Sequence, residues 1–420
     1  MSRQMARQAR DSASPASSGA NEGKPLPLDG LRIIDAATIL AAPFAATLLS
    51  DFGAEVIKVE RPGPGDALRS MGSSKSGVSL WWKIYSRNKR AVTLDLQAPE
   101  GQGILKALLK EADVFVENFR PGTLEKWGLG WDELHRLNPR LTVLRISGYG
   151  RAGPYAGKPG FGTLCEAMSG FAALNGDPDG PPTVPPLAVG DCIAGLYGAI
   201  GILVALLARA RGVSEGQCID VSLLDAVFSI VGYQAIEFDQ LGKVLKRTGN
   251  RSASSIPRNV YRTSDDRWLA VAGSTNAIAQ RALRMIGGDE LARDPRYASL
   301  EARQQHANEV DAIFAGWVRE RTLDEALAAF EASDGAAAPA YEADQIMSDP
   351  QFQAAQTIVE IDDEELGRVR IPNVVPRLSE TPGRIRFTGR RMSQDTSDVL
   401  KQQARLTDDD IARLRRAKVV

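Results

Sequence analysis

Apolar residues fall along this chain in short strand-like runs that alternate with segments of helical pattern. Residues 31–37 form one such run and predict a strand. Residues 43–51, with Pro43 in the first turn, predict a short helix, and 55–60, Glu-Val-Ile-Lys-Val-Glu, a second strand. The alternation continues through strand 91–96, helix 99–111, strand 114–119, helix 124–137 and strand 141–147. Such βαβ repetition requires a largely parallel sheet with right-handed crossovers, so the expected fold class is α/β with a doubly wound, Rossmann-like large domain.

The apolar stretch 192–208 is just too short for a comfortable membrane span and is interrupted by Gly195, Gly198 and Gly201. It predicts a core helix with close backbone contacts. A strand at 217–221 and a helix to about residue 241 follow. The pattern then implies a polar linker at 242–255 and a smaller α+β domain at 256–336, with short strands at 259–262 and 268–272. A return segment, 337–420, completes the large domain, which itself spans 27–241. The last helix is capped by Thr407 and headed by Asp408, Asp409 and Asp410. Residues 1–26 are rich in Ser, Ala, Gly and Gln and read as a disordered tail. Arg3, Arg7 and Arg10 leave a transit peptide open, against which stand Asp11, Glu22 and the want of an apolar face.

The formal net charge of −1 over 420 residues gives no global field for nucleic acid or an anionic membrane. Any anion site must therefore be local. Cys165, Cys192 and Cys218 lack CxxC spacing and the chain has two histidines, so a Cys/His metal site is not expected and a reducing cytoplasm is. In a doubly wound sheet ligands bind beyond the carboxyl ends of the strands, which points to the loops 37–43, 61–66, 118–122 and 148–162. None carries GxGxxG, and no Walker A sequence occurs, which disfavours NAD and ATP hydrolysis. Lys58, Arg61, Arg87, Lys89, Arg90, Arg120 and Lys126 lie near strand ends, where convergence suits a phosphorylated nucleotide. Arg61 is the sharpest, able to pair a phosphate or stack on adenine. Asp191 follows Gly190 and opens the apolar helix, a position for an ordinary N-cap or for a nucleophile.

Pro27-Leu28-Asp29-Gly30-Leu31-Arg32-Ile33, Asp51-Phe52-Gly53-Ala54-Glu55-Val56-Ile57-Lys58-Val59-Glu60, Asn88-Lys89-Arg90, Leu94-Asp95 and Val116-Glu117-Asn118-Phe119-Arg120-Pro121-Gly122 together carry a specific likeness. From about Leu26 to Val420 the chain resembles the class III CoA-transferases, which include formyl-CoA and carnitine CoA-transferases and share a fold with α-methylacyl-CoA racemase. The resemblance implies that Asp191 attacks an acyl-CoA thioester. It also implies a CoA site drawing on Ile39, Leu40, Ala41, Arg61, Leu94, Asp95, Leu96, Gln97, Asn118, Phe119, Arg120, Lys126, Pro159, Gly160, Phe161 and Gly162. CoA would be a substrate, with no metal and no NAD, and the protein would be an interlocked homodimer.

A carboxylate of reference pKa about 4 is ionised at neutral pH, and desolvation raises that value, so the helix N-terminus would help keep it charged. Attack would give an acyl-aspartyl anhydride and then an aspartyl-CoA thioester that an incoming carboxylic acid resolves. Water destroys both, which implies a cover. The glycine-rich loop 148–162 reads equally as that cover or as plain surface, and the poly-glycine cover of formyl-CoA transferase has no counterpart in 245–259.

Three departures bear on substrate. Leu40 replaces a glutamine of formyl-CoA transferase, Gly162 an acidic residue, and Phe161 the racemase's catalytic histidine. Trp81, Trp82 and Arg87 read either as core residues or as a wall and clamp for a second carboxylate, and Cys192 as a small core residue. The expected function is transfer of CoA from a small acyl-CoA, such as succinyl-CoA or another dicarboxylic acyl-CoA, to a free carboxylic acid. The alternatives are an acyl-CoA racemase or epimerase, and a non-catalytic CoA-binding protein.

Overall fold

The computed structural model describes residues 24–420 apart from Ala253, so the expected tail lies, up to residue 23, outside the described residues. The chain divides into two compact units. One takes residues up to Ile146 with Gly195–Asp220 and Glu360–Val420, the other Ser147–Ala194 and Val221–Val359.

The first unit is built on six strands: β1 (Arg32–Asp35), β2 (Glu55–Glu60), β3 (Lys89–Thr93), β4 (Val114–Glu117), β5 (Thr142–Ser147) and β6 (Cys218–Ser222). Their order is β3-β2-β1-β4-β5-β6, and the pairings that join the first five are parallel. That is the doubly wound order, with its topological switch between β1 and β4. Helices α1 (Ala41–Ser50) and α2 (Pro99–Leu109) supply crossovers. Ile33, Ile34, Val56, Ile57, Val114, Phe115, Val143 and Leu144 are all buried, as strands covered on both faces require.

The C-terminal helices Thr396–Ala404 and Asp408–Arg416 return to this core. Val399, Leu400, Ile411 and Leu414 join Ile104, Leu105 and Leu108 of α2 in one cluster. The Thr407 hydroxyl accepts the Asp410 N–H at 3.2 Å and the Asp410 carboxylate accepts the Thr407 N–H at 3.0 Å, the capping box expected from the sequence.

Helix α3 (Val189–Ala210) begins three residues before the predicted apolar stretch. Its glycines serve close packing. A Cβ at Gly195 would lie 2.7 Å from the Ala41 carbonyl oxygen, and one at Gly198 2.9 Å from Leu144. The predicted helix 124–137 is broken into Thr123–Lys126 and Trp131–Leu137, because Gly128 takes a left-handed φ of +63° that ends the first piece.

The second unit holds a three-stranded antiparallel sheet of β7 (Arg258–Arg262), β8 (Trp268–Ala272) and β9 (Ala337–Pro339), ordered β9-β8-β7. Leu269, Val271, Phe314 and Phe330 centre its core. These boundaries differ from the expected 241, 255 and 336. Residues 147–194 and 221–255 lie within the second unit, residues 337–339 add β9 to its small sheet, and the chain rejoins the first unit at Glu360.

Candidate active site

Beyond the carboxyl ends of the parallel strands the first unit has a pocket of about 350 Å³. Of the expected CoA-site residues, Arg61, Leu94, Asp95, Leu96, Gln97 and Phe119 line it, together with Thr38, Pro64, Gly65 and Trp127. Trp127 was not among the sequence candidates. Its ring meets Phe119 edge-on at 5.3 Å, forming an aromatic wall, and its place in a turn between two helix pieces gave no periodic signal.

The loops at the switch point are tied together. Asn118 accepts the Thr38 N–H through Oδ1 and donates through Nδ2 to the Thr38 carbonyl, both at 2.8 Å. Ile39 next to it has φ +66°, an uncommon left-handed conformation for a β-branched residue. Asp66 holds it there, accepting the Ile39 N–H at 2.9 Å through Oδ1 while Oδ2 pairs with Lys58 at 2.8 Å. Burial pushes the Asp66 carboxyl up, but Lys58 and the backbone donors outweigh it and hold it below the usual carboxylate range. Leu40 and Ala41 are buried, so this stretch offers a ligand mainly backbone.

The basic residues divide. Lys58 and Lys89 are buried against Asp35 and Asp66 and are structural. Arg90 pairs with Glu55 at 3.0 Å. Arg61, Arg120 and Lys126 are exposed and have no ion-pair partner among the described residues, which leaves them available to an anionic ligand. Arg120 and Lys126 lie outside the pocket lining.

The tryptophan and arginine clamp is not formed. Arg87 forks onto Asp51 at 2.9 and 2.7 Å with both groups buried. Trp82 is buried beneath the Arg69 guanidinium, 3.7 Å from the ring centroid, and donates to the Arg390 carbonyl. Trp81 lies edge-on to Tyr85.

In the second unit Asp191 is the third residue of α3, inside its first turn, and therefore not the N-cap. Its half-buried carboxylate has no hydrogen-bond or ion-pair partner among the described residues. Burial first, and then the Glu166 carboxylate, raise its pKa to about 6. A Cβ at Gly162 would lie 2.7 Å from Asp191 Oδ2, which is why glycine stands here. Glu166, on the helix Gly162–Met168, is buried and accepts the Gly190 N–H at 2.9 Å. It was missed in the sequence because a lone Glu in a short helix reads as surface.

Of the expected residues 159–162, Gly162 faces this carboxylate, and Pro159, Gly160 and Phe161 precede it in the chain. Gly148 and Gly160 pack backbone to backbone, a Cβ at Gly148 falling 2.5 Å from Gly160 Cα, so residues 149–159 form a loop closed at its base. Phe161 is 59% exposed. Cys192 and Cys165 have thiols pushed up to about 11, by burial and then by Asp191, which leaves both protonated at neutral pH. The two histidines are engaged elsewhere: His135 stacks on Trp131 and His306 bonds Glu309 at 2.7 Å. Among the described residues no cluster of His, Cys, Asp or Glu is arranged to hold a metal ion.

The fold is a doubly wound α/β one on a largely parallel sheet. More particularly, the chain belongs to CoA-transferase family III, whose family model matches residues 28–396. It is 42% identical over 397 residues to the succinyl-CoA–D-citramalate CoA-transferase of Chloroflexus aurantiacus, covering 94% of this chain and 98% of that protein. The beta subunit of the succinyl-CoA–L-malate CoA-transferase of the same organism is 43% identical over 399 residues, again covering 94% and 98%. Among solved structures, a CaiB/BaiF family protein from Brucella suis matches with a TM-score of 0.80 and 31% identity over 90% of this chain and 100% of that one.

Proposed function

We propose that this CoA-transferase moves CoA from succinyl-CoA, or another dicarboxylic acyl-CoA, to a free carboxylic acid through Asp191. The observation that carries the reading is the Asp191 carboxylate itself, half-buried in the first turn of α3 and without a partner among the described residues. A capping aspartate would spend its oxygens on the N–H groups of that turn. This one keeps them for a ligand.

An Asp191 oxygen bonds to the thioester carbonyl carbon, the C–S bond breaks, and its electron pair leaves with the CoA thiolate. The thiolate then attacks the aspartyl carbonyl of the anhydride and releases the donor acid, leaving an aspartyl-CoA thioester. The acceptor carboxylate displaces CoA to form a second anhydride, and thiolate attack on the acceptor carbonyl regenerates Asp191. The succinyl-CoA partners of the relatives make a 2-hydroxydicarboxylic acid, as malate and citramalate are, the first acceptor to try.

CoA would lie along the pocket at the switch point. Arg61, Arg120 and Lys126 would meet its phosphates and adenine, and Ile39, Leu40, Ala41 and the 94–97 segment its chain. Residues 159–162 would flank the acyl group, with the closed loop 149–159 as the cover that keeps water from the anhydride. Racemisation has no support, because His135 stacks on Trp131 and His306 bonds Glu309. The working form is taken as an interlocked homodimer, and the exposed apolar side of α3 favours it.

The test is Asp191→Ala. It should fold and bind CoA, while transfer from succinyl-CoA to malate or citramalate, followed by mass spectrometry, should vanish. Wild-type protein given donor alone should yield the aspartyl hydroxamate at residue 191 on hydroxylamine treatment. Near-normal turnover by Asp191→Ala would reject the nucleophile.

A further inference from the structure

Eight carboxylates are buried among the described residues: Asp35, Asp51, Glu60, Asp66, Glu117, Glu166, Asp363 and Asp395. Seven of them sit against a cation, namely Lys89, Arg87, Arg69, Lys58, Arg145, Lys83 and Arg390 in turn. Glu166 has none. Burying a carboxylate without a counter-charge is costly. It is tolerated here at one place, on the helix whose first residue, Gly162, faces the Asp191 carboxylate.

What Glu166 does have is the Gly190 N–H, at 2.9 Å. Gly190 precedes Asp191, and a Cβ there would lie 3.2 Å from Val227, 3.3 Å from Glu166 Oε1 and 3.4 Å from Gly162 Cα, so these residues are closely packed and a side chain at 190 would make its neighbours shift. Glu166 thus fixes the peptide that carries Asp191 and places a second carboxylate beside it.

We propose that Glu166 is the positioning residue of the nucleophile, anchoring the start of α3 through Gly190 and using its charge to favour the states in which Asp191 is covalently acylated. The inference rests on Asp191 being the nucleophile. When the Asp191 oxygen bonds to the thioester carbonyl carbon, its negative charge departs with the CoA thiolate. The repulsion between the two carboxylates ends at that moment and returns when the free aspartate is regenerated. A like charge that is present only before attack raises the free carboxylate relative to both the anhydride and the aspartyl thioester.

The elevated pKa of Asp191 agrees, burial being its first cause and Glu166 its second. The other titratable groups facing this site are Cys192 on α3, Cys165 beside Glu166, and Asp225 in the first turn of the helix Leu223–Val231, which acts on Cys165. Both thiols are neutral at working pH.

Glu166→Gln separates anchor from charge, since the amide oxygen still accepts the Gly190 N–H. In that variant the acid limb of kcat/KM should move from about 6 toward the ordinary carboxylate value. The hydroxylamine-trappable adduct formed with succinyl-CoA alone should fall by roughly tenfold, the scale of one pKa unit, while KM for the donor changes little. Glu166→Ala, in which water can take the Gly190 N–H, should move the limb in the same direction and covers the case of a Gln variant that does not fold. Glu166→Asp should hold the limb near its wild-type position. An unmoved limb in both neutral variants, with any activity loss following thermal stability alone, overturns the proposal. Failure of the parent reading looks different, since Asp191→Ala would then still transfer CoA.

Discussion

At the scale of single residues, Asp191 is held where its charge is unwelcome, and that has a thermodynamic signature. Its folded pKa of about 6 lies above the 3.8 of an ordinary aspartate. A raised carboxyl contributes stability that is present in full below the unfolded pKa and is lost as pH rises through the folded one. Wild-type protein should therefore lose stability between about pH 4 and 6 relative to Asp191→Asn, which has no charge to bury. Above about pH 6.5 the variant should be the more stable by about 1–3 kcal/mol, and near pH 4 the difference should close. Thermal unfolding of both proteins at about pH 4.5 and about pH 8 measures it. Equal melting temperatures on the alkaline side would show that the carboxylate is not under the pressure described. The same reasoning shows what a sequence can reveal of such a site. Asp191 stood out because an acidic residue opens a long apolar helix. Glu166 did not, because its partner lies 24 residues away and only the fold brings them together.

At the scale of elements, the strands were legible because parallel strands covered on both faces carry apolar residues on both, as Ile33 and Ile34 of β1, Val56 and Ile57 of β2 and Val114 and Phe115 of β4 show, although Asp35, Lys58, Glu60 and Glu117 are buried among them. The glycines of α3 were legible as close-contact positions for a related reason, since an apolar helix interrupted at every third residue has a face with no side chains. That face carries a prediction. Gly195→Val would place branched carbon where a Cβ is already 2.7 Å from the Ala41 carbonyl oxygen and 2.9 Å from Phe44. Shifting α1 would disturb Ile39, Leu40 and Ala41 at its start, and overpacking of this kind costs about 1–3 kcal/mol. The expected result is a lowered urea midpoint together with a raised KM for the acyl-CoA. A variant with wild-type midpoint and KM would mean that α1 and α3 are not in contact in this way. The lysines show the opposite case. Lys58, inside β2, and Lys89, at the start of β3, read as rim cations, yet each meets Asp35, 23 and 54 residues earlier, inside the sheet. Local pattern gives no register between strands, so it does not distinguish a buried pair from a ligand contact. The break of helix 124–137 was missed for want of similar information, since a glycine inside a helical period is tolerated as often as it terminates.

At the scale of the whole molecule, the distribution of exposed apolar residues bears on the working assembly. On α3, Leu196, Ile200, Leu203, Val204 and Leu207 are exposed, between 43 and 60%. They recur at steps of three and four residues, an apolar stripe opposite the glycine face. In the second unit Phe228, Tyr233, Ile236, Phe238 and Leu241 are exposed as well. Helix α3 is long and apolar enough to cross a membrane by length and composition alone, but its glycine face is packed on α1 and on β5, which suits a helix that is half core and half interface. Stripes of this size on a chain of small net charge ask for cover, and the proposed occupant is a second copy. If each chain threads through the other, separation requires substantial unfolding. Two populations carrying different tags, mixed under native conditions for a day, should then remain homodimers by native mass spectrometry, and mixed dimers should form only after denaturation and refolding. Leu203→Glu should hinder assembly during refolding, because it sets a charge in the middle of the stripe. A monomer in sedimentation at micromolar concentration, or mixed-tag dimers within minutes, would count against interlocking and leave the stripes to another partner.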